Sequence, residues 1–374
     1  MVRNPFITSG YVSADYFCDR RKESERLVRE VMNGNNLALV STRRMGKTGL
    51  IRHCFQFSEI RKNYYTFFID IYDSRSLRDL VFALSKEILE GLKPAGKKAL
   101  QAFWESMKSL QASISFDVNG MPSLNLGLGD INSPANTLDE IFQYLERADK
   151  PCLVAIDEFQ QITGYAEKNV EATLRTYVQH CNNVRFIFAG SQRHVMGNMF
   201  LTASRPFYQS VSMMHLESIP LEEYALFAHS HFERNSKTVE TEAITQIYRQ
   251  FEGITWYIQK VLNVLYDMTP AQGICGTEMV EEAIRQIVDS FRYTYSEILF
   301  RMPEKQKELL IAITKEGEAK AITSGAFIKK YKLLSASSVQ AALKGLLEKE
   351  FITHEAGVYK IYDRFLGIWL IENY

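Results

Sequence analysis

Several features are missing from this sequence, and each absence narrows what the protein can be. No two cysteines form a CxxC pair. The five present, Cys18, Cys54, Cys152, Cys181 and Cys275, are scattered, several of them inside apolar segments, so they read as reduced core residues of a cytoplasmic protein. There is no excess charge of either sign: 44 basic residues stand against 44 acidic ones. No global field therefore recruits nucleic acid or an anionic membrane, and any polyanion site must be local. No uninterrupted apolar run approaches the length that spans a bilayer, and residues 1–10, MVRNPFITSG, lack an apolar signal region. Neither secretion nor membrane insertion is expected. What remains is a soluble globular composition, 46% hydrophobic and 24% charged over 374 residues. That length suggests two or three domains at roughly 100–200 residues each.

The stretch at 37–50, LALVSTRRMGKTGL, organises the rest. An apolar strand runs into a tight polar turn, and Gly46-Lys47-Thr48 opens an apolar helix carrying Leu50, Ile51, Cys54 and Phe55. This is the strand–loop–helix setting of a phosphate-binding loop. Glycine lets backbone N–H groups approach phosphate oxygens, the helix N-terminus adds positive potential, and Lys47 supplies a charge for the β and γ phosphates. Thr48 would place a hydroxyl on Mg2+. The nucleotide contacts expected from the loop are Ser41, Thr42, Arg43, Arg44, Met45, Gly46, Lys47, Thr48 and Gly49. Ser41 stands where the usual motif begins with glycine, so the loop is expected to form at some strain.

Taken in order, residues 4–23 mix aromatics with Arg20 and Arg21. This segment either covers an adenine base, with Phe17 or Tyr11 packed on it and Arg20 beside it, or simply closes the core. A helix follows over 23–32, with Leu27, Val28 and Val31 on one face. Residues 64–72, YYTFFIDIY, read as a central strand covered on both faces. Asp70 and Asp73 flank its end, as metal ligands or as solvated loop carboxylates. Ser76-Leu77-Arg78-Asp79 reads as a capping box. Alternation around Asn119-Gly120 predicts a hairpin over about 113–128, and Thr137 is expected to cap the next helix.

Residues 152–160, CLVAIDEFQ, form the second informative strand. It delivers Asp157 and Glu158 to a strand's carboxyl end, the edge where open α/β sheets bind ligands. Two carboxylates there have separate uses: Asp157 holds Mg2+, and Glu158 polarises the attacking water. A further strand at 185–189 ends in Gly190-Ser191. Ser191 suits either a γ-phosphate contact or a helix N-cap. Arg193 and Arg205 are the arginines placed to act as fingers on a γ-phosphate, in cis or across an interface. Residues 211–216 complete the sheet.

After Pro220 the pattern turns helical, with apolar spacing near 3.6 over 221–232, 242–251, 256–268 and 277–290, which describes a small helical lid. The stretch beginning at Gly253 breaks two of these helices. From about residue 292, helices over 305–314, 325–331 and 337–349, then a hairpin turning at Glu355-Ala356-Gly357, describe a winged helix-turn-helix. Val339, Ala342, Leu343, Leu346 and Leu347 face its core. Ser337, Ser338, Gln340 and Lys344 face outward, and Ser337, Gln340 and Lys344 are the candidates for nucleic-acid contact. Over 291–374 there are thirteen basic and ten acidic residues, a weak footprint for phosphate contacts. Docking on its own core or on a protein partner fits as well as binding double-stranded DNA.

The residues at 42–48, 156–160, 190–191, 253–259 and from 338 onward resemble the archaeal-type ATPases, AAA-like P-loop proteins of the STAND class that are distantly related to origin-recognition ATPases. The resemblance spans nearly the whole chain. It implies an α/β fold: a P-loop AAA-like parallel-sheet core with Walker A and Walker B segments, over residues 1–216. A helical lid over 217–290 and a C-terminal winged helix-turn-helix over 291–374 follow. In that fold the Ser191 strand lies between those of the loop and Asp157. The resemblance also implies ATP and Mg2+ as ligands, hydrolysis by a water that Glu158 activates, and a switch in place of a metabolic role; with the residue readings above, Glu158, Lys47 and Ser191 form the expected catalytic set. The chain departs from the pattern at Ser41, at Asp19 and Thr255 where glycine and proline are frequent, and in having no arginine at 253–259.

Three function classes follow. The leading one is a slowly hydrolysing ATPase that acts as a nucleotide-dependent switch and is able to oligomerise. The alternative is a winged-helix DNA-binding regulator with a structural or degenerate nucleotide site. A small-molecule kinase is least favoured, because Glu158 beside Asp157 suits water activation.

Overall fold

The computed structural model describes residues 4–92, 96–109, 114–116, 122–124 and 131–374. The chain divides into two compact units. One comprises Ile7–Phe227 with Gly253–Tyr257. The other comprises Ala228–Glu252 and Ile258–Tyr374, with the described residues up to Phe6.

The first unit is built on five parallel strands, β1 (Leu37–Val40), β2 (Tyr65–Asp70), β5 (Cys152–Asp157), β6 (Val184–Gly190) and β7 (Ser212–His215), in the order β2-β5-β6-β1-β7. The Ser191 strand thus lies between those of the loop and Asp157, as the resemblance implies. Side chains alternate along each strand and sort into two cores. Ala38, Val40, Phe67, Ile69, Val154, Ile156, Phe186 and Phe188 face one side. Leu37, Leu39, Leu153, Ala155, Ile187, Ala189 and Met214 face the other. Helices Leu77–Leu92, Pro134–Arg147 and Val170–His180 cover the first side, and helices Arg21–Met32 and Lys47–Cys54 the second. Burial on both faces explains why β1 and β5 read as unbroken apolar runs.

Two expectations are corrected here. The strand Tyr65–Asp70 lies at the sheet's edge instead of its centre. Its aromatic run specifies a strand but not a place in the order, and the outward Phe68 ring is covered by the Arg52 guanidinium, 4.4 Å from the ring centroid. The helix expected to start at Thr137 starts one turn earlier at Pro134, since proline fits the first turn, where no N–H is needed. Thr137 is fully buried and its hydroxyl donates to the Ser133 carbonyl. The capping box at Ser76 forms as expected, with Asp79 N–H donating to Ser76 Oγ and the Asp79 carboxylate accepting from Arg75 N–H. Of the expected hairpin, β3 (Ile114–Phe116) and β4 (Pro122–Leu124) pair antiparallel; its turn at Asn119-Gly120 and Val118, Leu126 and Leu128 lie outside the described residues.

In the second unit, strands β8 (Thr238–Val239) and β9 (Ile274–Cys275) form a short parallel pair. Helix Glu278–Arg301 continues unbroken past residue 290, where apolar spacing alone ends it. Helices Glu304–Glu316, Gly325–Lys330 and Ala336–Glu348 precede the antiparallel wing, β10 (Ile352–Glu355) and β11 (Val358–Ile361). Ala356 and Gly357 take left-handed φ values of 48° and 78° in its two-residue turn. A closing helix, Arg364–Asn373, was not anticipated from the sequence; its signal is Asp363, which accepts from the N–H groups of Phe365 and Leu366. Val339, Ala342 and Leu346 are buried as expected, whereas Leu343 and Leu347 are half-buried. Among the described residues no helix is long and apolar enough to cross a membrane, and no two cysteines are bonded.

Phe188 is at the centre of the larger core, ringed by Phe159, Phe200 and Phe207 with centroids 4.4, 5.7 and 5.4 Å away. Phe188→Ala is expected to lose about 3–5 kcal/mol of stability. The check is a lowered midpoint in urea denaturation.

Candidate functional site at the carboxyl ends of the strands

The phosphate loop leaves β1 at Val40 and ends at Gly46, where helix Lys47–Cys54 begins. Gly46 has φ 94°, and Arg44 before it has φ 68°. A Cβ on Gly46 would meet nothing within 4 Å, so it is the backbone conformation and not space that calls for glycine. Ser41, expected to strain the loop, is not left-handed; the strain is carried at Arg44. The fully buried Ser41 keeps a sheet-like bond from its N–H to the Gly190 carbonyl, and its hydroxyl donates to the Thr42 carbonyl at 2.9 Å.

Lys47 is buried and curls back over the loop, with Nζ 3.2 Å from the Ser41 carbonyl, 3.3 Å from its hydroxyl and 3.4 Å from the Thr42 carbonyl. Burial pushes its pKa below the ordinary lysine value, against the pull of Glu158 and Asp157. Thr48 Oγ1 donates to Asp157 Oδ2 at 2.6 Å. Burial raises the Asp157 carboxyl above its ordinary value, and that hydrogen bond opposes the rise. Two hard oxygen donors side by side suit a Mg2+ that draws its remaining ligands from water and phosphate. Among the described residues no group of three His, Cys, Asp or Glu side chains is arranged to hold a metal by itself. Asp70 pairs in register with Asp157, but its Oδ1 accepts from Tyr72 N–H at 2.9 Å.

Beyond Asp157, Glu158 adopts a left-handed φ of 55°, which turns its carboxylate toward the end of β6. Its Oε2 accepts from Ser191 Oγ at 2.6 Å and from Gln160 Nε2 at 2.5 Å. Its Oε1 lies 3.8 Å from Arg43 Nε, which also donates to Ser191 Oγ at 3.3 Å. Ser191 therefore serves Glu158 and is not a helix cap; the following helix starts at Arg193 with Gln192 at the cap position. Gln160, absent from the sequence-level candidates, is buried. A Cβ on Gly190 would lie 2.6 Å from its Oε1, so the glycine makes room for it.

The other candidates divide. Phe17 stacks on His53 with centroids 4.4 Å apart, and a Cβ on Gly49 in the first turn of the following helix would meet its ring at 3.4 Å, which places the ring beside the loop. Arg20 is buried and already engaged: it donates to the carbonyls of Glu217 and Met45 and to the Glu23 carboxylate, bracing the loop from behind instead of standing beside a base. Arg205 is hydrogen-bonded to Glu171, and Arg193 lies 3.8 Å from Glu217. Neither pairing brings them to Glu158. Arg44 was expected among the loop's nucleotide contacts. Its guanidinium lies over the Trp256 ring at 4.4 Å and donates to the Tyr257 hydroxyl, while its carbonyl accepts from Trp256 N–H at 3.0 Å. The segment Gly253–Tyr257 has no arginine of its own and binds the loop's. A cavity of about 640 Å3 opens beside Thr48, lined by Tyr11, Arg52, Phe68, Asp70, Asp73 and Lys86 among others. In the second unit Ser337, Gln340 and Lys344 are exposed on helix Ala336–Glu348, Lys344 lying 3.8 Å from Glu348.

The parallel sheet order, the loop opening into a helix, the Thr48–Asp157 contact and the wing define a P-loop ATPase fold with a C-terminal winged helix. Residues 293–372 match the family model described as a probable winged helix domain. Over nearly its whole length the chain is similar in structure to the Walker-type ATPase of Pyrococcus abyssi, with 18% identity, a TM-score of 0.66 and coverage of 98% of this chain and 99% of that one. It is likewise similar to the ORC2 protein of Aeropyrum pernix, solved in ADPNP–ADP complexes, at 14% identity, TM-score 0.60 and 99% and 96% coverage. A third similar structure is the ORC1 protein of the same organism in complex with DNA, at 13% identity, TM-score 0.53 and 96% and 94% coverage. No curated protein matches the chain.

The raised Asp157 carboxyl carries a pH prediction. A group whose pKa is higher in the folded protein favours folding below its unfolded value, and that contribution is lost as the pH rises through the folded one. Asparagine does not titrate, so the stability of Asp157→Asn relative to the ligand-free wild type is expected to increase as the pH rises from 3.8 toward neutrality. Urea unfolding across that range checks it; a difference that stays constant with pH would contradict the assignment.

Proposed function

We propose that this protein binds Mg-ATP in the loop at 41–49, hydrolyses it slowly and acts as a nucleotide-dependent switch. The ATPase core would occupy residues 1–216, the lid 217–290 and the winged helix 291–374. The observation that carries the reading is that Lys47, Thr48, Asp157, Glu158 and Ser191 meet at the carboxyl ends of β1, β5 and β6. A phosphate site alone needs no carboxylate backed by a serine and a buried glutamine. Water activation does.

In this reading the ammonium of Lys47 leaves the loop carbonyls for the phosphate oxygens it charge-balances, and the loop N–H groups and helix N-terminus hold the remaining negative charge. Bound Mg2+, held by Thr48 and Asp157, would neutralise charge on the phosphates. Glu158 accepts a proton from the water whose oxygen bonds to the γ-phosphorus. The bond from that phosphorus to the β–γ bridging oxygen breaks, and ADP and inorganic phosphate leave. Ser191 and Gln160 orient the Glu158 carboxylate. The switch reading is supported by the Arg44 latch on Trp256 and Tyr257, since any rearrangement of the loop is felt there.

Exposed Ser337, Gln340 and Lys344, together with likeness to a protein solved with DNA, favour a second reading, a DNA-binding regulator. A protein partner on the same surface and self-assembly remain within the first reading.

Glu158→Gln is expected to keep nucleotide binding while lowering turnover by roughly 10^2–10^4-fold, and Lys47→Ala to lose binding. Titration with a labelled nucleotide and phosphate release measure both. Normal turnover by Glu158→Gln would remove that carboxylate from the chemistry. If Lys344→Ala weakens duplex binding while Lys47→Ala leaves it intact, the second reading takes precedence.

A further inference from the structure

We infer that Arg43, a residue of the phosphate loop itself, is the group that distinguishes a nucleoside triphosphate from a diphosphate, and that Glu158 occupies it when no γ-phosphate is present. The inference rests on the ATPase reading and specifies how that site would be regulated. Of the two arginines that sequence position favours, Arg205 pairs with Glu171, and Arg193, whose charge is felt at Lys47, lies 3.8 Å from the exposed Glu217; neither pairing brings it to Glu158. Arg43 instead reaches the water-activating carboxylate: its Nε is 3.8 Å from Glu158 Oε1 and 3.3 Å from Ser191 Oγ. Its guanidinium is also seated against the Tyr72 ring, 4.8 Å from the centroid, which aligns it along the carboxyl ends of β5 and β6.

That position separates the duties of two cations on one loop. Lys47 lies over the Ser41 and Thr42 carbonyls in the empty site, at the β1 side. Arg43 stands with Glu158 and Ser191. Whatever phosphate those two groups attend to lies within Arg43's reach, and hydrolysis requires that phosphate to be the terminal one. ADP has no such group and leaves Arg43 on Glu158. The pair is mostly shielded from water, the two side chains being 18% and 14% exposed, so its attraction is weakly screened. A planar guanidinium also offers forked donors that match phosphate oxygens. When a triphosphate takes the guanidinium, Glu158 loses its counter-charge and its carboxylate becomes the base. The same contact that restrains the base in the empty site would then report the γ-phosphate.

The test compares affinities for a non-hydrolysable ATP analogue and for ADP, both with Mg2+, by titration against a fluorescent nucleotide. Arg43→Gln is expected to weaken the triphosphate by roughly tenfold or more, the worth of a charge-assisted hydrogen bond, with ADP changed by less than about twofold. Arg43→Lys keeps the charge but loses the fork, and falls between. Because Glu158 competes for the guanidinium, Glu158→Gln raises triphosphate affinity in the wild-type background, and this gain largely disappears when combined with Arg43→Gln. An unchanged triphosphate-to-diphosphate ratio in Arg43→Gln, or an equal loss for both ligands, overturns the proposal. So does a full Glu158→Gln gain in the absence of Arg43. If Arg43→Gln fails to fold, the ratio in Arg43→Lys decides on the same terms. Nucleotide binding with an unchanged ratio refutes this inference alone; failure of the wild type to bind any nucleotide removes the ATPase reading along with it.

Discussion

The hydrogen bond from Thr48 to Asp157 is the constraint on which the site depends. It joins the first turn after β1 to the last residue of β5, two strands that are not neighbours, across the end of β6. The bond forms only because all three strands run parallel and stop at nearly the same level, in a register that sets Leu39 and Val40 beside Ala189 and Gly190, and Ile156 beside Phe188. Parallel pairing in turn needs both faces covered. The two apolar cores are therefore part of the site's geometry: remove either layer and the carboxyl ends no longer define a common edge.

Around that bond the protein gathers charges that burial makes costly to leave alone. Lys47, Asp157 and Arg20 are nearly inaccessible, and each is compensated locally. Lys47 rests on loop carbonyls under the field of two carboxylates. Asp157 has the Thr48 hydroxyl and its own bond to Glu158 N–H. Arg20 is satisfied by two carbonyls and Glu23. Glu158 is held by three side chains from three elements, and its left-handed backbone keeps it aimed at them. A site in which every buried charge already has a partner must exchange partners to accept a polyphosphate. That exchange gives a ligand-dependent rearrangement a place to start, at Lys47, at Arg43 and at the Arg44 contact with Trp256.

The parts legible in the sequence were those with local causes. Gly46-Lys47-Thr48 after an apolar strand, Asp157 and Glu158 at the end of another, the capping box at Ser76 and the wing's turn at Ala356-Gly357 each combine a residue type with a fixed offset, and all lie where that offset puts them. Misplaced features had causes several residues or several strands away. Tyr65–Asp70 carries the composition of a strand, but nothing in it says that no partner lies beyond it. Ser133 and Pro134 outcompete Thr137 because the core draws Thr137 inward. Nothing near Arg205 in the sequence announces its hydrogen-bond partner Glu171, on a helix thirty-four positions earlier.

By itself the sequence determined the chemistry on offer: a phosphate loop, two carboxylates and a serine at strand ends, and a helical second half ending in a wing. Short-range rules suffice for that, since periodicity, caps and turn glycines act within a few residues. Only the tertiary structure decided how these groups are paired. Arg43 and not Arg193 or Arg205 meets Glu158, Arg44 meets Trp256, Arg20 braces the loop, and Gln160 joins the site at all. The physical reason is that side-chain partners across a parallel sheet are set by strand order and register, which depend on packing of segments more than a hundred residues apart.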